Sequence, residues 1–212
     1  MDFFDYFDRI SRSVVGLLVG PKQFGSLLPH IPHTPFCDLF RIFAVLQEDH
    51  LAIIRNEYLA LWQTDAETLA RLANENSPRL LGQTFQSLSS VIFQEMRSDG
   101  TDAAAFPGID PDTELYVLSN PQRAYGASVI LYPGALQAIS RQLQSDLYLI
   151  PASVHEMLVV PSRQSIPPEE LLWILHHNNE SVLAPTDYLS GSLYFYSAED
   201  DSVRIWSGSC DG

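Results

Sequence analysis

Apolar residues in this chain come in short runs, and each run is closed within a few residues by a proline, a glycine or a polar turn. No stretch reaches the roughly 18 apolar residues that a membrane-spanning helix needs. Short runs with close punctuation favour hairpins and short crossovers over long helices or a parallel sheet. The expected fold class is therefore α+β: a mostly antiparallel mixed sheet of about eight strands with about five flanking helices. Hydrophobic residues make up 46% of the 212 and charged residues 18%. That is ample for a core and unlike the composition of a disordered chain.

Read along the chain, Phe3, Phe7, Ile10, Val14 and Leu17 recur at steps of four and three, which predicts an amphipathic helix ended by Gly20-Pro21. Residues 1–20 are read as that helix and 21–212 as a single α+β domain, with a loop at about 98–112 where Gly, Pro and Asp cluster. A hairpin is expected from Cys37 to Arg55, turning at Gln47-Glu48-Asp49-His50. Thr64-x-x-Glu67 has capping-box spacing and opens a helix that Pro78 should stop. Further strands are expected at 114–118, 127–132, 147–150 and 157–160, with helices after Pro133 and Pro167. A last hairpin spans 193–205 across Glu199-Asp200-Asp201. One sheet should bury Ile42, Val45, Ile53, Val117, Val129, Leu131, Leu149, Val159 and Ile205.

Charge narrows the functional classes. Acidic residues outnumber basic ones 26 to 12, a formal net charge of −14. Lys22 is the only lysine. Such a surface disfavours nucleic acid and offers no lysine in a phosphate loop or Schiff-base setting. Gly-rich phosphate loops, Gly-x-Ser-x-Gly elbows and His-Glu-x-x-His are all missing. Acids at the N-terminus, Met1-Asp-Phe-Phe-Asp5, stand where a secretory signal carries basic residues. Two cysteines, Cys37 and Cys210, fit reduced thiols better than a disulfide scaffold. A cytoplasmic location without membrane contact is the expectation.

Two clusters have the residue types of a chemical site. Ser153, His155 and Glu156 combine a nucleophile, a base and an acid within four residues. Triad members normally come from separate elements, and Ser153-x-x-Glu156 is also a capping-box spacing, so a helical turn competes with catalysis here. His30, His33 and Asp38, beside Cys37, are competent metal donors, but Pro32 and Pro35 break the helix that their spacing would need. A turn that uses Asp38 to hold backbone amides is the simpler account. His176-His177 suits the end of a helix, where imidazolium is favoured. Tyr194, Phe195, Tyr196 and Trp206 fit cross-strand packing better than base stacking.

Several blocks carry a resemblance. Leu28-Pro-His-Ile-Pro-His33 with Asp38-Leu39, Asn56-Glu57-Tyr-Leu with Leu61-Trp62, and Ala73-Asn-Glu-Asn-Ser-Pro78 come first. Tyr116-Val-Leu-Ser-Asn120 through Tyr125-Gly126 to Leu131-Tyr-Pro-Gly134, and Leu149-Ile-Pro151-Ala-Ser-Val-His155-Glu156, follow in order. Together they resemble an uncharacterised domain-of-unknown-function family of gut Clostridia and other Firmicutes. The resemblance implies longer relatives with residues ahead of the first helix, and it brings no activity, substrate or cofactor. Thr34 and Ala152 depart from its usual Arg and Ser. The function expected is a non-catalytic binding or regulatory module acting through protein–protein contacts, without a cofactor. The alternative is a hydrolase or metal-dependent enzyme using His155 and Glu156.

Overall fold

The computed structural model describes residues 3–48, 50–99, 114–164, 166–181 and 183–208. Helix α1 (Phe3–Ile10) passes through a 3-10 turn into strand β1 (Val14–Val19). Then come α2 (Pro21–Phe24), β2 (His33–Phe36), β3 (Leu39–Gln47), β4 (His50–Ile53), α3 (Asn56–Trp62) and α4 (Ala66–Leu81). The second half holds β5 (Thr84–Ser87), α5 (Leu88–Asp99), β6 (Tyr116–Ser119), a 3-10 helix (Gly126–Leu131) and α6 (Ala135–Leu143). It closes with β7 (Leu147–Pro151), β8 (Met157–Pro161), α7 (Pro168–Ser181), β9 (Tyr194–Ser197) and β10 (Ser202–Ile205).

The class is α+β, with antiparallel pairing throughout the described ladders. The strands form two sheets where one was expected. In the first, β3 has β1 on one edge and β2 and β4 end to end on the other. The second runs β10-β9-β7-β8-β6-β5. The expected 37–55 hairpin is β3–β4 of the first sheet. It meets the second sheet through a shared core, in which Leu18 and Leu39 pack with Leu118, Leu149, Met157 and Tyr194. Helix α6 covers the same side of the second sheet, and α5 and α7 cover the other.

Several local readings change for identifiable reasons. The first helix ends at Ile10, and Val14 and Leu17 lie in β1. All six residues of β1 are buried, and a run that is apolar throughout satisfies a helical period and a strand period equally. Residues 126–131 form a 3-10 helix, not a strand, because Tyr125 turns back with φ 51° and Gly126 lies tight against Ser119 Oγ and the His155 carbonyl. A side chain at 126 would collide with both. The cap of α4 is Asp65, which accepts the Thr68 amide at 2.8 Å, and Pro78 lies inside the helix. The helix stops three residues later, at Leu81, before Gly82 with φ 65°. Of the expected core, Ile53 and Leu131 are only half-buried, and Ile205, on the edge strand β10, is 40% exposed. Residues 100–112 of the expected loop and Cys210 lie outside the described residues.

Strand β1 is an edge strand, and unpaired edges invite foreign strands. Helical side chains answer its backbone instead. Asn76 Nδ2 donates to the Val14 carbonyl at 3.0 Å, Ser77 Oγ accepts the Gly16 amide at 3.0 Å, and Ser128 Oγ accepts the Leu18 amide at 2.8 Å. In the neighbouring strand Arg41 is 9% exposed, its guanidinium lying over Gly16, and Nε has no hydrogen-bond partner. Removing such a charge from water costs several kcal/mol. The Phe43 ring, 5.6 Å from the guanidinium carbon, returns about 1 kcal/mol.

Candidate functional site

The Ser153, His155 and Glu156 cluster forms the connection between β7 and β8. Ser153 Oγ accepts the His155 amide at 3.0 Å, and the Ser153 amide donates to the Glu156 carbonyl at 3.2 Å. This closes a tight turn, not a helix, so the hydroxyl is spent on the backbone of its own hairpin. The turn is then gripped from both sides. The Val154 amide donates to the Asp187 carbonyl at 2.8 Å, and the Val154 carbonyl accepts the Ala127 amide at 3.3 Å. Ser119 Oγ donates to the His155 carbonyl at 2.7 Å.

The His155 ring is engaged at both nitrogens. Nδ1 accepts the Tyr125 amide at 3.3 Å, and Nε2 faces Asp187 Oδ1 at 3.6 Å. An amide pointing at Nδ1 places the proton of the neutral ring on Nε2, toward the carboxylate. A general base needs a free lone pair directed at a nucleophile, and here the lone pair is occupied by backbone. The Asp187 contact exceeds hydrogen-bond length, and both side chains are more than a third exposed, so it contributes under about 1 kcal/mol.

His30, His33 and Asp38 go separate ways. His33 Nδ1 lies 3.0 Å from the Ile31 carbonyl, with its ring edge-on to Phe40, and His30 is exposed at the end of a 3-10 turn. Asp38 accepts hydroxyl protons from Ser190 at 2.9 Å, Ser192 at 2.9 Å and Tyr194 at 2.6 Å. It thereby fastens the β2–β3 turn of the first sheet to β9 of the second and to the loop that precedes it. Burial, then the Asp38 bond, holds the Tyr194 hydroxyl protonated far above its ordinary range. Among the described residues, no group of three or more His, Cys, Asp or Glu is placed to hold a metal.

Tyr194 and Tyr196 are buried in the core, and Phe195 meets its cross-strand partner Tyr148 edge-on at 5.3 Å. Asp201 and Asp200 of the acidic turn accept from Tyr196 and Ser197, so both carboxylates serve the hairpin that carries them. His177 stacks on Trp173 at 5.1 Å, four residues before the C-terminal end of α7.

A cavity of about 320 Å³ opens beside the turn. Val117, Ile150 and Leu158 of the second sheet make its floor, and α5 and α7 wall it with Leu88, Val91 and Leu175. Arg123, Ser153, Glu156 and Asp187 rim it, with the Trp173–His177 stack beside them. Asn178 donates to the Ala152 carbonyl at 2.9 Å, joining α7 to the rim. Apolar walls and a small set of polar groups at the mouth are the usual make-up of a binding site. Sequence reasoning singled out Ser153 and Glu156 of the rim but missed the apolar walls, which are scattered over a hundred residues. For the walls the local signal was Trp173, 55% exposed on a helix that buries Leu171 and Leu175.

Set against known families, residues 1–198 match the model of a family of unknown function, DUF5688. The chain belongs to that family. Family membership supplies a name for the fold unit and no chemistry for the cavity. No curated protein and no solved structure matches the chain. No helix among the described residues is long and apolar enough to cross a membrane.

Proposed function

We propose that this DUF5688 member is a non-catalytic, cytoplasmic binding or regulatory module that acts through protein–protein contacts. The cavity between α5 and α7 receives an apolar side chain of its partner. The observation that carries this reading is the cavity itself, apolar-walled and shaped to enclose a group that water solvates poorly. Trp173, stacked and exposed at the rim, supplies the aromatic contact area that binding surfaces favour. The net charge of −14 favours a partner that is basic around its apolar anchor. An exposed free thiol at Cys37 suits a reducing compartment. The hydrolase reading around His155 and Glu156 has less support, since Nδ1 of the ring already accepts the Tyr125 amide.

Native mass spectrometry of the full chain purified from its own host tests this, using wild type, Ala152→Phe to fill the cavity, and His155→Ala. The proposal expects a co-purifying protein on the wild type and on His155→Ala, and its loss from a folded Ala152→Phe. A stoichiometric metal lost with His155→Ala, or a partner retained by the filled cavity, overturns it.

A further inference from the structure

Among the described residues, three buried side-chain atoms lack a hydrogen-bond partner, Arg41 Nε, Tyr132 Oη and Asn179 Oδ1, and of these only Arg41 belongs to a charged group. Arg41 extends across the face of β1 toward Gly16, where a Cβ would stand 2.5 Å from its Nε and 3.1 Å from Nη2. Only glycine leaves that space. Nε has no hydrogen-bond partner, and among the described residues no carboxylate pairs with the guanidinium. Its ring contact among the described residues is Phe43. Burial lowers its pKa to about 10, so the side chain still carries a full positive charge at neutral pH.

Two hydroxyls serve the same stretch of β1, each as an acceptor with its own proton left to donate. Ser77 Oγ is bound to the amide of the glycine that the guanidinium covers, and Ser128 Oγ to the amide of Leu18, the next residue on that face. Both serines are 1% exposed. Each accepts one bond, and no described acceptor takes its hydroxyl proton. A fixed cation and two buried hydroxyls thus serve two alternate residues of one strand, and no described carboxylate or carbonyl takes the hydroxyl protons. Buried donors without acceptors are rare in native interiors, and a bound group that supplies oxygen atoms resolves all three.

We propose that Arg41, with Ser77 and Ser128 beside it, binds a small oxyanion, the carboxylate or phosphate group of a ligand. The site is separate from the cavity between α5 and α7, and its test does not depend on what that cavity binds. Thermal unfolding of the full chain is followed in inorganic phosphate, in acetate and in chloride at matched ionic strength. Wild type, Arg41→Met, Arg41→Lys and Ser77→Ala are compared. Wild type should gain several degrees over chloride at about 10 mM anion, because a ligand of the folded state raises its midpoint. Arg41→Met should show no gain. Arg41→Lys keeps the charge and loses the fork, so its apparent affinity should fall about tenfold or more. A larger gain in phosphate assigns a phosphate group, and a larger gain in acetate assigns a carboxylate. Equal midpoints in all three salts for wild type, or an equal gain in Arg41→Met, overturns the proposal. Should Arg41→Met not fold, broadening of the phosphate ³¹P resonance decides: strong with wild type and weak with Arg41→Lys supports the site, and equal broadening overturns it.

Discussion

The turn at 152–156 and the middle of β3 treat polar groups in opposite ways. At the turn, Ser153, His155 and Asp187 sit together with the outward look of catalytic parts, yet Ser153 Oγ and His155 Nδ1 each accept a backbone amide and the Asp187 carboxylate accepts the Thr186 hydroxyl. In β3 a single arginine is buried among apolar neighbours, and its Nε has no partner at all. A cluster of reactive residue types is thus a joint, and a lone charge in an apolar strand is the unsatisfied group. Residue type alone ranks these two places in the wrong order. What separates them is whether each donor and acceptor is already answered.

The sharpest way to break the turn is Gly126→Ala. The new methyl group would meet Ser119 Oγ and the His155 carbonyl, and backbone yields little, so a loss of about 3 kcal/mol or more is expected in urea melts. A loss below about 1 kcal/mol would mean that the turn is not held as described. Asp38→Ala comes next. It strips three hydroxyls of their acceptor and leaves the buried Tyr194 hydroxyl unpaired, for a loss of about 2–3 kcal/mol. Tyr194→Phe in the Asp38→Ala background should recover part of it, which a double-mutant cycle reads directly.

Arg41→Met sharpens the other side of the comparison. In buffer free of oxyanions it should be neutral or stabilising by about 1–2 kcal/mol, since it removes an unpaired buried charge and keeps most of the volume. A clear destabilisation in that buffer would mean that the charge is answered by the protein itself. The smallest effect is expected far from both places. Asp65→Ala removes the α4 cap and should lower the melting midpoint slightly. The Thr68 amide holds the Asp65 carboxyl below its ordinary pKa, so the cap's contribution is full above the unfolded-state pKa near 4 and fades as pH falls through the lower folded value. The difference between wild type and Asp65→Ala should therefore shrink with acid. A difference that does not depend on pH would remove the charged cap from the account.

Much of the second sheet was legible in the sequence. Strands at 116–119, 147–151 and 157–161 and the 194–205 hairpin are short runs bounded by turn residues, and local signals suffice for those. The chain was hardest to read where distant contacts decide. β1 is buried on both faces and so carries no period. The 126–131 segment is shaped by Ser119 and His155, not by its own β-forming residues. Asp38 was singled out, but its hydroxyl partners lie more than 150 residues away. Arg41 is the instructive omission. Leu39-Phe-Arg-Ile-Phe-Ala-Val45 reads as a strand, and the one charged residue inside it was visible throughout.

The claim that His155 is a structural joint and not a base is tested most directly by ¹H–¹⁵N correlation of the histidine rings at neutral pH. The account predicts an acceptor-type Nδ1 for His155 and a proton on Nε2, both signals lost from the spectrum in His155→Ala. A proton on Nδ1, leaving Nε2 with a free lone pair, would contradict it and return the enzyme reading to first place.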